Sequence, residues 1–153
     1  MDATTLLAED HDAVREIFAD LGKLGPAEAD ERKGLLQELR RELEVHARME
    51  EEVFYPALRR LPDENAKDLV EEALEQHDEV KLLLEDLLRL EPADPDFDDR
   101  LLELQETVER HVEEEEAEIF PLALERLGTA RLDELGKELD LMKEAVLGTL
   151  ARA

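Results

Sequence analysis

His46-Ala-Arg-Met-Glu50-Glu-Glu-Val-Phe-Tyr-Pro56 and His111-Val-Glu-Glu-Glu115-Glu-Ala-Glu-Ile-Phe-Pro121 are the same phrase written twice, 65 residues apart. In each, a histidine precedes a glutamate by four residues. On a helix that spacing is one turn, so imidazole and carboxylate point the same way. Working outward, His11-Asp-Ala-Val14 is answered by His77-Asp-Glu-Val80, 66 residues later. The chain is therefore two copies of a helix pair, each bringing one lone histidine and one His-x-x-x-Glu unit to a shared centre with approximate two-fold symmetry.

Apolar residues around these phrases recur at three and four, the helix period. Leu7, His11, Val14 and Phe18 share a face of a first helix, capped by Thr4 or Thr5 and ending before Gly25-Pro26. A second helix is expected from about Ala27 to Arg60 with Leu36, Leu39, Leu43, His46, Glu50, Val53 and Phe54 on its inner stripe. Pro56 must kink or briefly break it, because proline offers no N–H to the preceding turn. A third helix begins at Pro62-Asp63 and carries Val70, Ala73, His77 and Leu84. Past the Glu91–Asp96 break, a fourth carries Leu101, Leu104, Val108, His111, Glu115 and Ile119, with Pro121 bending its end. After Gly128-Thr129, Leu132, Leu135, Leu139, Met142, Val146 and Leu150 stripe a last helix, about 129–151. Short connections make neighbours antiparallel, so the expected fold is all-α: an up-down-up-down four-helix bundle with an appended C-terminal helix, one domain over 1–153.

Composition narrows the function. With 44 acidic against 19 basic residues the formal net charge is −25, a surface that repels nucleic acid and anionic lipid. The 42% apolar content at regular spacing supports a packed core. Absence of cysteine removes disulfides, thiolate catalysis, iron–sulfur ligation and cysteine zinc sites. The start MDATTLLAEDHD has no basic region followed by an apolar run, and no unbroken apolar stretch approaches ~18 residues. A cytoplasmic location is expected, with neither membrane nor nucleic acid as partner. Monomer and homodimer both stay open.

All four histidines fall on inward stripes, one per helix, and Glu50 and Glu115 lie on those stripes as well. A carboxylate buried without a partner would be very costly. Imidazole suits iron, zinc, copper and nickel, and a carboxylate can span two cations. His11, His46, Glu50, His77, His111 and Glu115 are thus the expected metal ligands, a rich set for one ion and a natural one for two. Glu51, Glu52, Glu113 and Glu116 are expected on solvated faces, whereas Glu114, three after His111, leans inward. Phe54 and Ile119 wall the pocket. Tyr55 falls well around the helix from His46 and is assigned to the surface or an interface. Asp12 and Asp78 directly follow histidines and point away.

The order His11, His46-x-x-x-Glu50, His77, His111-x-x-x-Glu115, with endings Tyr55-Pro56 and Phe120-Pro121, resembles the hemerythrin-like (HHE cation-binding) domains over about residues 4–126. Ferritin-like di-iron bundles use Glu-x-x-His instead. The resemblance implies two oxo- or hydroxo-bridged iron ions, with His11 and His46 serving one, His77 and His111 the other, and Glu50 and Glu115 bridging. It implies a non-haem di-iron protein that binds or reacts with dioxygen, peroxide or nitric oxide, its enzymatic form being peroxide decomposition. The alternatives are iron or oxygen sensing, iron donation for repair, and oxygen binding without catalysis. The oxygen carriers of the family have a fifth histidine one turn before the third-helix histidine; here that residue is Ala73, which leaves an open position on both irons and argues against reversible carriage.

Overall fold

A computed structural model describes the backbone of residues 1–152 and side chains through Thr149, so Ala153 and the side chain of Leu150 lie outside the described residues. Six α-helices follow one another: α1 Ala3–Gly22, α2 Ala29–Met49, α3 Tyr55–Arg59, α4 Glu64–Arg89, α5 Phe97–Glu114 and α6 Phe120–Arg152. No strand occurs among the described residues. The hairpins α1–α2 and α4–α5 pack tightly within themselves and touch each other more sparsely, giving the expected four-helix bundle. No helix is long and apolar enough to cross a membrane among the described residues.

Three local expectations need correction. The cap of α1 is Asp2, whose carboxylate accepts the Thr5 N–H at 2.9 Å and the Thr4 hydroxyl at 2.9 Å. A carboxylate there serves both threonines, which begin the helix instead of capping it. The α2 helix starts at Ala29, after a short tight turn over Pro26–Glu28. Most consequentially, the second helix does not run straight to Pro56. It widens into a π-turn over Glu50–Phe54, and the fourth helix does the same over Glu115–Ile119. In these turns the Tyr55 N–H bonds to the Glu50 carbonyl and the Phe120 N–H to the Glu115 carbonyl, five residues back instead of four. Each proline then falls in the first turn of the next segment, where a missing N–H costs nothing.

Between Leu127 and Thr129 the chain folds back sharply at Gly128, which has φ 82° and ψ 167°. The left-handed φ is one an L side chain rarely adopts. The rest of α6 returns along α1. At Gly136 a Cβ would collide with the main chain of Met1 and Asp2, so glycine lets the two elements touch. Leu132, Leu135, Leu139 and Val146 are buried against Leu6, Leu7, Val45 and Met49. The appended helix therefore covers one end of the bundle. A second apolar cluster, including Phe18, Leu39, Leu87 and Phe97, fills the other end. There the fully buried Arg32 ties two loops together, donating to the Leu24 carbonyl at 2.9 Å, the Pro92 carbonyl at 2.7 Å and Asp98 at 2.8 Å. Between the clusters the interior turns polar.

Candidate metal centre

That polar layer holds the six residues singled out from the sequence, all buried: His11, His46, Glu50, His77, His111 and Glu115. Glu50 and Glu115, fully buried at the starts of the two wide turns, stand at its middle. The Nε2 atoms of His46 and His77 lie 3.2 and 3.0 Å from Glu50 Oε1, and that of His11 lies 3.0 Å from Glu115 Oε1. His111 Nε2 is 3.6 Å from both carboxylates. Four imidazoles thus aim one nitrogen each at a carboxylate pair.

The opposite nitrogen, Nδ1, is held from outside in every case. His11 is held by Glu116 at 2.7 Å, His46 by Asp10 at 3.0 Å, His77 by Glu51 at 2.8 Å and His111 by Gln76 at 2.7 Å. An acceptor on Nδ1 fixes the tautomer and turns Nε2 inward as a lone-pair donor, the arrangement metal-ligating histidines adopt. Glu51 and Glu116 were expected on solvated faces; both are half-buried against a histidine instead. Asp10 and Gln76 went unnamed. A signal was present: each directly precedes a lone histidine, and the two sit 66 residues apart like those histidines. Asp10 is further clasped by Lys143 of α6 at 2.7 Å. Glu114 does lean inward, but only to accept from the Gln76 amide.

Tyr55 is not at the surface. It is buried, with its hydroxyl 3.4 Å from His77 Nε2 and donating to Glu115 Oε2. The wide turn explains the difference. On an α-helix of about 100° per residue, Tyr55 lies about 180° around from His46. Where residues i and i+5 share a face, it lies directly above Glu50. Phe120 stands in the same relation to Glu115 and stacks on His11, ring centroids 5.8 Å apart and nearly parallel at 3°. Phe54 and Ile119 are buried in the adjoining apolar cluster, as expected.

Charge in this layer is tightly coupled. Burial disfavours the imidazolium of His46, but Glu50 and Asp10 outweigh it and hold the group well above its ordinary value. His77 is opposed by burial and pushed up to about 9 by Glu50 and Glu51. Glu50, despite burial, is held well below the usual carboxylate range by His46 and its other hydrogen-bonding neighbours. Glu115 is raised by burial and by the negative charge of Glu50 beside it. Even so, polar atoms are left over: His11 Nε2, His46 Nε2, Glu50 Oε2 and Glu115 Oε1 are buried with no hydrogen-bond partner. Such orphans are expensive in a protein interior, and these four are lone-pair donors facing one another. Donor atoms of His11, His46, Glu50 and Glu115 all lie within 4.8 Å of one another, as do those of Glu50, His77 and His111. The donor set fits cations, and Glu50 belongs to both groups.

These features define a helical bundle with a buried, pseudo-symmetric His/Glu cation site. Residues 2–123 match the hemerythrin HHE cation-binding domain, and the chain belongs to that family. It is similar to the crystal structure of an HHE cation-binding domain-containing protein from Mycobacterium kansasii, with a TM-score of 0.86 and 29% identity, covering 97% of this chain and 89% of that one. The Mycobacterium tuberculosis protein Rv2633c is 26% identical over 150 residues, 97% of this chain and 89% of its own length. A DNA nickase from Nostoc is 28% identical over 147 residues; the match takes in 95% of this chain but only 40% of the nickase.

Proposed function

We propose that this protein holds two iron ions at the polar layer and uses them to bind or react with a small oxidant: dioxygen, peroxide or nitric oxide. His11 and His46 would serve one ion, His77 and His111 the other, with Glu50 and Glu115 shared between them. The observation that carries this reading is the set of orphaned Nε2 and carboxylate oxygen atoms, grouped in two overlapping clusters. When bound, iron supplies Lewis acidity and redox change. The protein's own part is positional. Asp10, Glu51, Gln76 and Glu116 hold the imidazoles by Nδ1. The Tyr55 hydroxyl donates to Glu115. Phe54, Phe120 and Ile119, with the apolar cluster under α6, keep water from one side of the layer.

The Nostoc relative raises nucleic acid as a partner, but a net charge of −25 opposes approach to a phosphate backbone. The decisive test is metal analysis of protein purified without added metal, followed by an optical spectrum before and after peroxide. Two irons per chain and a near-ultraviolet charge-transfer band changed by peroxide are expected. One zinc per chain with no such band would sink the reading.

A further inference from the structure

The two seams between the hairpins are built from matching positions and end differently. Along α1/α5, Arg15 donates to both carboxylate oxygens of Glu109, at 2.7 Å for its closest nitrogen, and bridges the seam. In the internal repeat Lys81 stands where Arg15 does, and Glu44 where Glu109 does. That pair is not joined: Lys81 turns to Glu51, at 3.4 Å. A cavity of about 390 Å³ opens between α2 and α4 at this unbridged seam, and all four histidines line its inner end.

Its size exceeds what the oxidants named above need. A water molecule takes up about 30 Å³ of liquid, and small-molecule pockets begin near 300 Å³. Val14, Leu43, Val80, Leu84, Leu88 and Val108 line it, so water has little to bond to beyond the histidine end. About 16 Å of helix separate His77 from Leu88 along the wall, at ~1.5 Å per residue. The mouth carries Arg40, Arg48 and Lys81 against Glu44, Glu51 and Glu85, which balance. Around it the chain bears a net charge of −25, which disfavours anions such as fatty-acid carboxylates. A ligand complementary to this groove is uncharged, apolar along most of its length, and reactive at one end.

We propose that the α2/α4 groove binds the organic group of an uncharged apolar hydroperoxide, delivering its –OOH end to the histidine layer. The proposal rests on the oxidant reading above and names its substrate class. Reduction of such a molecule, ROOH, breaks the O–O bond, takes up two electrons and two protons, and releases ROH and water. The electrons are those lost as two bound ferrous ions become ferric.

The test separates binding from chemistry. Cumyl alcohol, the redox-inert product of cumene hydroperoxide, is titrated calorimetrically into the metal-free and iron-loaded chain. Consumption of cumene hydroperoxide and of hydrogen peroxide by the reduced, iron-loaded chain is then compared. Leu84→Trp fills the groove away from the ligands, and Ala47→Leu fills it more gently should the larger side chain impair folding. Expected are saturable cumyl alcohol binding, lost in either variant. Cumene hydroperoxide consumption should fall by roughly tenfold or more, the scale of a misfit in an apolar pocket, with hydrogen peroxide consumption and iron content unchanged. If neither peroxide is consumed while cumyl alcohol binding and its loss persist, the oxidant reading fails and the groove stands as an apolar ligand site. Absence of cumyl alcohol binding, or equal loss of both peroxide activities, overturns the proposal. Dodecanoate binding in preference to dodecanol, or a dimer dispersed by Leu84→Trp, would assign the groove to an anion or to a second copy of the chain and overturn it equally.

Discussion

The half of the centre built on His11 and His46 and the half built on His77 and His111 superpose in plan and differ in detail. Glu116 on His11 corresponds to Glu51 on His77, a match of like with like. Asp10 on His46 corresponds to Gln76 on His111, a carboxylate against an amide. Phe120 over His11 corresponds to Tyr55 over His77, a bare ring against one with a hydroxyl. The first half thus has two carboxylates behind its imidazoles, one of them locked by Lys143. The second has one carboxylate, one neutral amide and a phenol. A carboxylate behind a histidine raises its strength as a ligand. Duplication fixes where ligands stand, and the departures from it set how differently two otherwise equal positions behave.

The largest effect should come from what the halves share. Glu50→Ala and Glu115→Ala each remove a charge facing both halves, so either should cost more bound metal than His11→Ala, while the exposed Glu52→Ala should cost none. Metal per chain by elemental analysis decides it, and full loading in Glu50→Ala would refute the shared role. The next effect separates the halves. Asp10→Ala should weaken one ion by about 10- to 100-fold in chelator competition, the usual cost of removing the group behind a ligating histidine. Gln76→Ala should do less, because a neutral amide contributes less to imidazole basicity. Equal losses would erase the distinction.

Ala73→His would make the halves less alike by adding an imidazole one turn before His77. Ala73 is packed in the same apolar cluster as Tyr55, so about 1–3 kcal/mol of overpacking cost is expected in thermal or urea unfolding. Two irons should remain bound and peroxide consumption per iron should slow. An unchanged rate, with the new histidine shown to ligate, would mean that an open second position is irrelevant. The smallest change, Tyr55→Phe, makes the halves more alike. It strips Glu115 of its hydroxyl donor and should cost the metal-free protein about 1–2 kcal/mol in urea unfolding. No loss would mean that Glu115 finds another partner.

The bundle, its hairpin order and the six inward donors were all legible from period and repeat. Spacing of four on a helix is a local rule, and repetition made it specific. Tyr55 was misplaced because angular counting assumes an α ladder throughout, and one widened turn shifts every residue beyond it. Glu51 and Glu116 were misassigned because, in a chain with 44 acidic residues, a glutamate beside a ligand carries no signal of its own. The clasp from Lys143 to Asp10 joins residues 133 apart in sequence, and no periodicity reports such a meeting. The turn at Gly128 was expected; that it would lay α6 back along α1 depended on packing that only the folded chain reveals.

Each wide turn is a helix carrying one residue more than its ladder requires. Deleting any one residue from Glu51–Phe54 would let ordinary bonds close across the gap, and the helix itself would be none the worse. The remainder would nonetheless swing by about 100° and slide by about 1.5 Å against the part that carries His46. Tyr55 would leave Glu115, and α3 would present a different face to the core. Far-ultraviolet circular dichroism would register almost nothing, whereas metal content would register the whole loss. Chain length through these ten residues, two runs of five, is therefore itself part of the binding code. A single-codon deletion there would be a more damaging lesion than most substitutions around it.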